Sequence, residues 1–143
     1  MRIEPRIPDD VLQRIRAPFR RVDASGVKPE RIDPPVIQPL DLLLDLSGEA
    51  MRERLFVVQG EEGAEACLRP DFTIPVVRHH LARGGSGASY YYQGQAFRIA
   101  PLGQGERHPS EFLQIGVETF GGAGDEAADA ALAGLAWESA SAG

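Results

Sequence analysis

Two ten-residue runs in the second half of the chain, ASYYYQGQAF (88–97) and EFLQIGVETF (111–120), set the strongest limit on its fold. Both are rich in aromatic and β-branched residues and have strand character. The polar, glycine-rich segment between them, residues 98–110, is too long for a tight hairpin turn and reads as a loop with a task of its own. Leu55-Phe56-Val57-Val58 is a further strand, and residues 65–69 pair with it across the turn GEEG. Strands in this number, with short connections, exceed what a helical bundle needs. The expected architecture is α+β, an antiparallel sheet flanked by helices, with residues 1–143 forming a single domain.

Helices fill the intervals. Asp9 and Asp10 cap a helix carrying Val11, Leu12, Ile15 and Phe19 on one face, with Pro18 bending or ending it. After a proline-rich turn, PPVIQP admits only a short extended segment, because prolines are excluded from central strand positions. LDLLLDLSGEAM fits a short helix or an irregular apolar stretch, and its periodicity does not choose. Thr73 opens a helix through Arg83, with Ile74, Val77 and Leu81 on one face and Pro75 tolerated in the first turn. GDEAADAALAGLAWESA is a helix by alanine content and by its leading acids. Tyr90, Tyr91 and Tyr92 alternate across a strand, which divides them between core and surface.

The net charge of −6 argues against a surface built to grip nucleic-acid phosphates. The lone Cys67 cannot form an internal disulfide and sits in the apolar phrase ACL, as a small buried hydrophobe would. No apolar run is long enough to span a bilayer, and MRIEPRIPDD lacks the apolar stretch of a signal peptide. The expectation is a soluble cytoplasmic protein without nucleic-acid or membrane partners. His79-His80 has no zinc-ligand spacing, and PLGQGE is not followed by the Lys-Ser or Lys-Thr of a phosphate-cradling loop, so neither a metal nor a cofactor is expected.

Three places can carry recognition chemistry. In LRPDFT, Asp71 and Thr73 stand at a strand-to-helix junction, where they can hold a cationic amine or, more plainly, cap the helix. Gln114 and Glu118 share a strand face, and Gly116 between them leaves room there for a small polar ligand, unless it marks only a bulge in a solvated strand. Arg98 closes the partner strand and can fork onto a carboxylate or phosphate, or pair with Glu111 or Glu118.

LRPDFTIPVVRHH, YYYQGQAFR and EFLQIGVETFG, in this order, resemble the catalytic core of the histidyl-tRNA synthetase family, a branch of the class II aminoacyl-tRNA synthetases. PPVIQPLDLLLDLSGEAMRERLFV and ACLRPDFTIPV are similar, more closely still, to the synthetase paralogues that serve as ATP phosphoribosyltransferase regulatory subunits in histidine biosynthesis. The resemblance implies a dimer with Pro35 at its interface, and a histidine-like pocket formed by Asp71, Thr73, Arg98, Gln114 and Glu118. It also implies a hetero-oligomer with the phosphoribosyltransferase catalytic subunit. Two departures matter. Ala100 stands where a synthetase has glutamate, and Ser110 where the family's loop has arginine, so the cationic and acidic clamp on ATP is missing. The family's third motif and anticodon-binding domain have no counterpart, which implies an N-terminal portion of the synthetase-like fold. The expected function is therefore non-catalytic regulation of ATP phosphoribosyltransferase, including feedback control by histidine. The alternatives are a truncated histidyl-tRNA synthetase-like enzyme that activates histidine with ATP, or a fragment with no function of its own.

Overall fold

The computed structural model describes residues 6–21, 27–105, 107–122 and 124–143. The first half of MRIEPRIPDD, the start of the proline-rich turn and Glu106 of PLGQGE lie outside the described residues. The chain divides into two compact units. One contains Pro34–Pro75 and Gly94–Gln114; the other contains Arg6–Asp33, Val76–Gln93 and Ile115–Gly143.

In the first unit, β2 (Ile37–Pro39), β3 (Val57–Gln59) and β4 (Glu65–Leu68) form an antiparallel sheet of order β2-β4-β3. Val57 pairs with Cys67 and Gln59 with Glu65, so the expected hairpin across GEEG is present. LDLLLDLSGEAM resolves into α2 (Leu40–Ser47) followed by 3-10 turns over Glu49–Arg54. Leu40, Leu43 and Leu44 of α2 bury against Leu55 and Cys67, with Met51 and Ile74 packed around them. Each fully buried leucine contributes about 1.5–3 kcal/mol, so this cluster is the unit's main apolar stabilisation.

The second unit contains α1 (Asp9–Arg16) and β1 (Glu30–Arg31), a strand the sequence reading did not assign. β1 joins β5 (Ala88–Phe97) in parallel, Glu30 opposite Tyr90. The sheet order is β1-β5-β6, with β6 spanning Glu111–Phe120. The α+β class holds, but with two three-stranded sheets among the described residues and one parallel pairing in place of a single antiparallel sheet. The residues of both long strands match the two runs found in sequence.

Local corrections have local causes. Asp9 and Asp10 occupy the first turn of α1, and Pro8 is the cap residue, without a side-chain cap bond. The acids still favour that end through the helix dipole. Pro18 ends α1 as expected, starting a short 3-10 turn in which Phe19 is buried. α3 (Thr73–Ala82) buries Val76 and His80; of the expected stripe, Ile74 packs on the core cluster and Val77 is half-buried, while Leu81 is 65% exposed. His80 is drawn inward by aromatic contacts: its ring stacks on Phe120 at 4.0 Å, and its Nδ1 lies 3.2 Å from the Tyr90 hydroxyl. Tyr90 and Tyr92 are buried and Tyr91 half-buried, as alternation requires. α4 (Glu126–Ser141) is capped by Asp125, whose carboxylate accepts from the Ala128 amide at 2.9 Å.

Cys67 has no exposed surface, and its Sγ lies 3.7 Å from the Gln38 carbonyl oxygen. Burial pushes its thiol above the ordinary range by penalising the thiolate. The unfolded thiol ionises near about 8.5 while the folded one stays neutral, so the unfolded chain loses its proton first. Stability therefore falls as pH rises past that value. Native protein at pH 8 is expected to react slowly with a disulfide thiol reagent and completely in urea, and Cys67→Ala should remove this alkaline contribution. Rapid stoichiometric labelling of the native chain would contradict the burial.

Candidate functional site

The site is built on the segment Arg69-Pro70-Asp71-Phe72. Pro70 cannot donate to a strand ladder, so β4 stops at Leu68 and the chain turns into α3. Pro70 and Phe72 on either side of Asp71 are both buried, and Asp71 is half-buried at the strand-to-helix junction. Thr73 is exposed at the first position of α3.

Arg98 follows the last residue of β5. Its amide donates to the Ser110 carbonyl at 2.9 Å, and its Nε donates to the Pro70 carbonyl at 2.7 Å. Nη2 lies 4.0 Å from the Asp71 carboxylate, and the guanidinium carbon sits 5.4 Å above the Phe112 ring. Asp71 is thus a partner of Arg98 that the sequence reading did not name. The ion pair is long and its side chains are 39% and 29% exposed. Such a pair contributes at most about 1 kcal/mol, so a ligand's own charges can replace it.

Two acceptors in the same unit lack partners. Asp71 Oδ1 and Gln114 Oε1 are both buried without a hydrogen bond. Leaving such a group unpaired costs about 1–3 kcal/mol. The first unit therefore contains a carboxylate, an amide acceptor and a guanidinium, of which the carboxylate and the guanidinium lie 4.0 Å apart. That set is complementary to a small molecule bearing both a cationic amine and a carboxylate.

Glu118 is half-buried on β6, in the second unit. The expected gap over Gly116 is not open. A Cβ built on Gly116 would approach Tyr92 Cζ to 2.6 Å, with the tyrosine oxygen nearer still. The missing side chain accommodates the buried Tyr92 ring, which takes the space assigned to a ligand. Pro35 is exposed, and its carbonyl accepts from Gln38 Nε2 at 2.7 Å. The loop that starts at Arg98 is tied down at Ile99: the Ile99 amide donates to Arg54 O at 2.9 Å, and Arg54 Nε donates to Ile99 O at 2.6 Å. Ala100 and Ser110 are both half-buried in this loop. Among the described residues, no group of three or more His, Cys, Asp or Glu is placed to hold a metal ion, and no helix is long and apolar enough to cross a membrane.

Sequence reasoning missed Arg69. It is only 3% exposed; its Nε donates to Gln95 O at 2.8 Å and its Nη1 donates to Pro34 O. The one available signal was an arginine closing the apolar run ACL before a proline. Its acceptors are backbone carbonyls, which residue types do not reveal.

The family model described as histidyl-tRNA synthetase matches residues 29–143 and runs through both units. ATP phosphoribosyltransferase regulatory subunits of Brucella ovis and Brucella canis are each 41% identical over 111 residues, 77% of this chain. The matched part is 28% of the length of each of these relatives. Among solved structures, an ATP phosphoribosyltransferase regulatory subunit/histidyl-tRNA synthetase from Bacillus halodurans is similar with a TM-score of 0.72 at 22% identity. It covers 93% of this chain and 33% of its own. A histidine–tRNA ligase subunit from Alicyclobacillus acidocaldarius gives 0.71 at 19% identity, over 98% of this chain and 40% of its own. At these identities the structural likenesses carry the fold.

The packing over Gly116 has a direct test. Gly116→Ala is expected to cost about 1–3 kcal/mol by overpacking against Tyr92, measured by urea unfolding, and Tyr92→Phe in the same chain should recover part of the loss. Unchanged stability in Gly116→Ala would mean that the space is open.

Proposed function

The chain belongs to the histidyl-tRNA synthetase family, and on that premise we propose that it is a non-catalytic regulatory subunit of ATP phosphoribosyltransferase, acting in the first step of histidine biosynthesis. The reading is carried by the two unpaired acceptors, Asp71 Oδ1 and Gln114 Oε1, in the same unit as Arg98, whose ion pair with Asp71 is long. These groups suit the ammonium and carboxylate of an amino acid. Ala100 and Ser110 leave the ATP side without its acid and its arginine. The names of the Brucella relatives support the same reading.

In this proposal the chain binds the catalytic subunit in a cytoplasmic hetero-oligomer and transmits inhibition by histidine. Such control requires differential affinity between two states, about 1–3 kcal/mol of coupling. Histidine contacts Asp71, Thr73, Arg98 and Gln114, and Glu118 is a further ligand contact. Residues 1–143 form one class II synthetase-like domain, a reading supported by the family model running through both units. Pro35 lies at a self-dimer interface, supported by the exposure of its apolar neighbours Val36 (40%) and Ile37 (59%). No cofactor and no nucleic acid takes part.

The test is calorimetric titration of histidine with and without the catalytic subunit, alongside inhibition assays of the complex. Asp71→Ala and Glu118→Ala should each weaken histidine binding by about tenfold or more, the size of a lost charge-assisted hydrogen bond. A chain that neither joins the catalytic subunit nor alters its inhibition overturns the regulatory role. Unchanged affinity in Glu118→Ala removes that residue from the ligand contacts.

The family model itself favours a second reading, a truncated synthetase-like enzyme that activates histidine. It requires histidine-dependent exchange of pyrophosphate into ATP. The regulatory reading expects none above background, and robust exchange would replace it.

A further inference from the structure

We infer that Arg69 is a positioning residue for the proposed ligand site, holding Asp71 and Arg98 in register through a latch completed by Phe72 and Gly94. The inference rests on the reading of Asp71 and Arg98 as ligand contacts.

The Arg69 side chain is buried, and its guanidinium donates to carbonyls on two separate segments, Gln95 O on β5 and Pro34 O before β2. Its guanidinium carbon lies 4.2 Å from the centroid of the buried Phe72 ring. The backbone of Arg69 is held as well: its amide donates to Val36 O at 2.8 Å, and its carbonyl accepts from the Phe97 amide at 3.0 Å. One residue therefore ties together three stretches of chain. Asp71 lies between the stacked Phe72 and Pro70, and Arg98 follows Phe97. The loop closes on itself because Arg98 Nε donates to Pro70 O. The carboxylate and the guanidinium of the site are thus each within two residues of an atom that Arg69 holds.

Gly94 is part of the device. A Cβ there would approach Arg69 Nη2 to 2.7 Å and Phe72 Cζ to 2.9 Å, so any side chain displaces the latch. Lysine at position 69 would keep the charge but could not fork onto two carbonyls or stack as a plane on Phe72.

Arg69→Lys and Gly94→Ala, in the full chain, probe the latch in two ways. Gly94→Ala alters no polar group and serves if Arg69→Lys fails to fold. Histidine binding is measured by calorimetry, and histidinol, which lacks the carboxylate that Arg98 would meet, is titrated in parallel. The expected result is a rise of about tenfold in the histidine dissociation constant, equivalent to about 1.4 kcal/mol, with reduced preference for histidine over histidinol. Leu43→Val, a core change that lowers thermal stability away from the latch, should leave affinity and preference unchanged. Unaltered affinity and preference in folded latch variants overturn the inference, as does an equal change in Leu43→Val. If wild-type protein binds no histidine, the ligand reading falls and the latch's proposed role falls with it, an outcome distinct from failure of the latch alone.

Discussion

The buried guanidinium of Arg69 is the interaction on which the first unit turns. Removing such a charge from water costs several kcal/mol, and it is tolerated only where good geometry and hydrogen bonds offset the loss. Here Gln95 O and Pro34 O supply charge-assisted bonds, and Phe72 gives the guanidinium plane a face to lie on. Because both acceptors are main-chain atoms, the side chain fixes backbone positions directly. The apolar cluster of α2, Leu55 and Cys67 stabilises the same unit but is non-directional. It compacts the chain without specifying where a carboxylate must point.

This arrangement combines a firm base with adjustable tips. Pro70 and Phe72 are buried, whereas the Asp71–Arg98 pair is long and partly exposed. The Asp71–Arg98 pair thus sits on a buried base while remaining partly open to solvent. The second unit organises its interior differently, around the His80, Tyr90 and Phe120 rings, where stacking and a hydroxyl-to-imidazole contact replace the aliphatic cluster.

Much of this was legible. The two ten-residue runs became β5 and β6, the GEEG hairpin formed with its expected partners, and the alanine-rich segment is a helix with acids in its first turn. These features depend on neighbours close in sequence, where alternation, turn residues and caps act. The failures were of another kind. At the end of α3, His80 is buried in place of Leu81 because aromatic rings beyond the helix reward burial of an imidazole. β1 escaped notice because two residues carry no periodicity, and only pairing with β5 defines them as a strand. Gly116 was recognised as a gap, but Tyr92 fills it from a neighbouring strand.

The sequence alone marked the long strands, most of the helices, the burial of Cys67 and the family, since each depends on residue identity or on spacing along the chain. Tertiary structure alone decided that Arg98 faces Asp71, that Arg69 grips two backbone carbonyls, and that two acceptors are left unpaired. The physical reason is that these are contacts between segments distant in sequence. Carbonyl oxygens look alike in every residue, so a partner that is a main-chain atom becomes identifiable only when the fold brings it within reach.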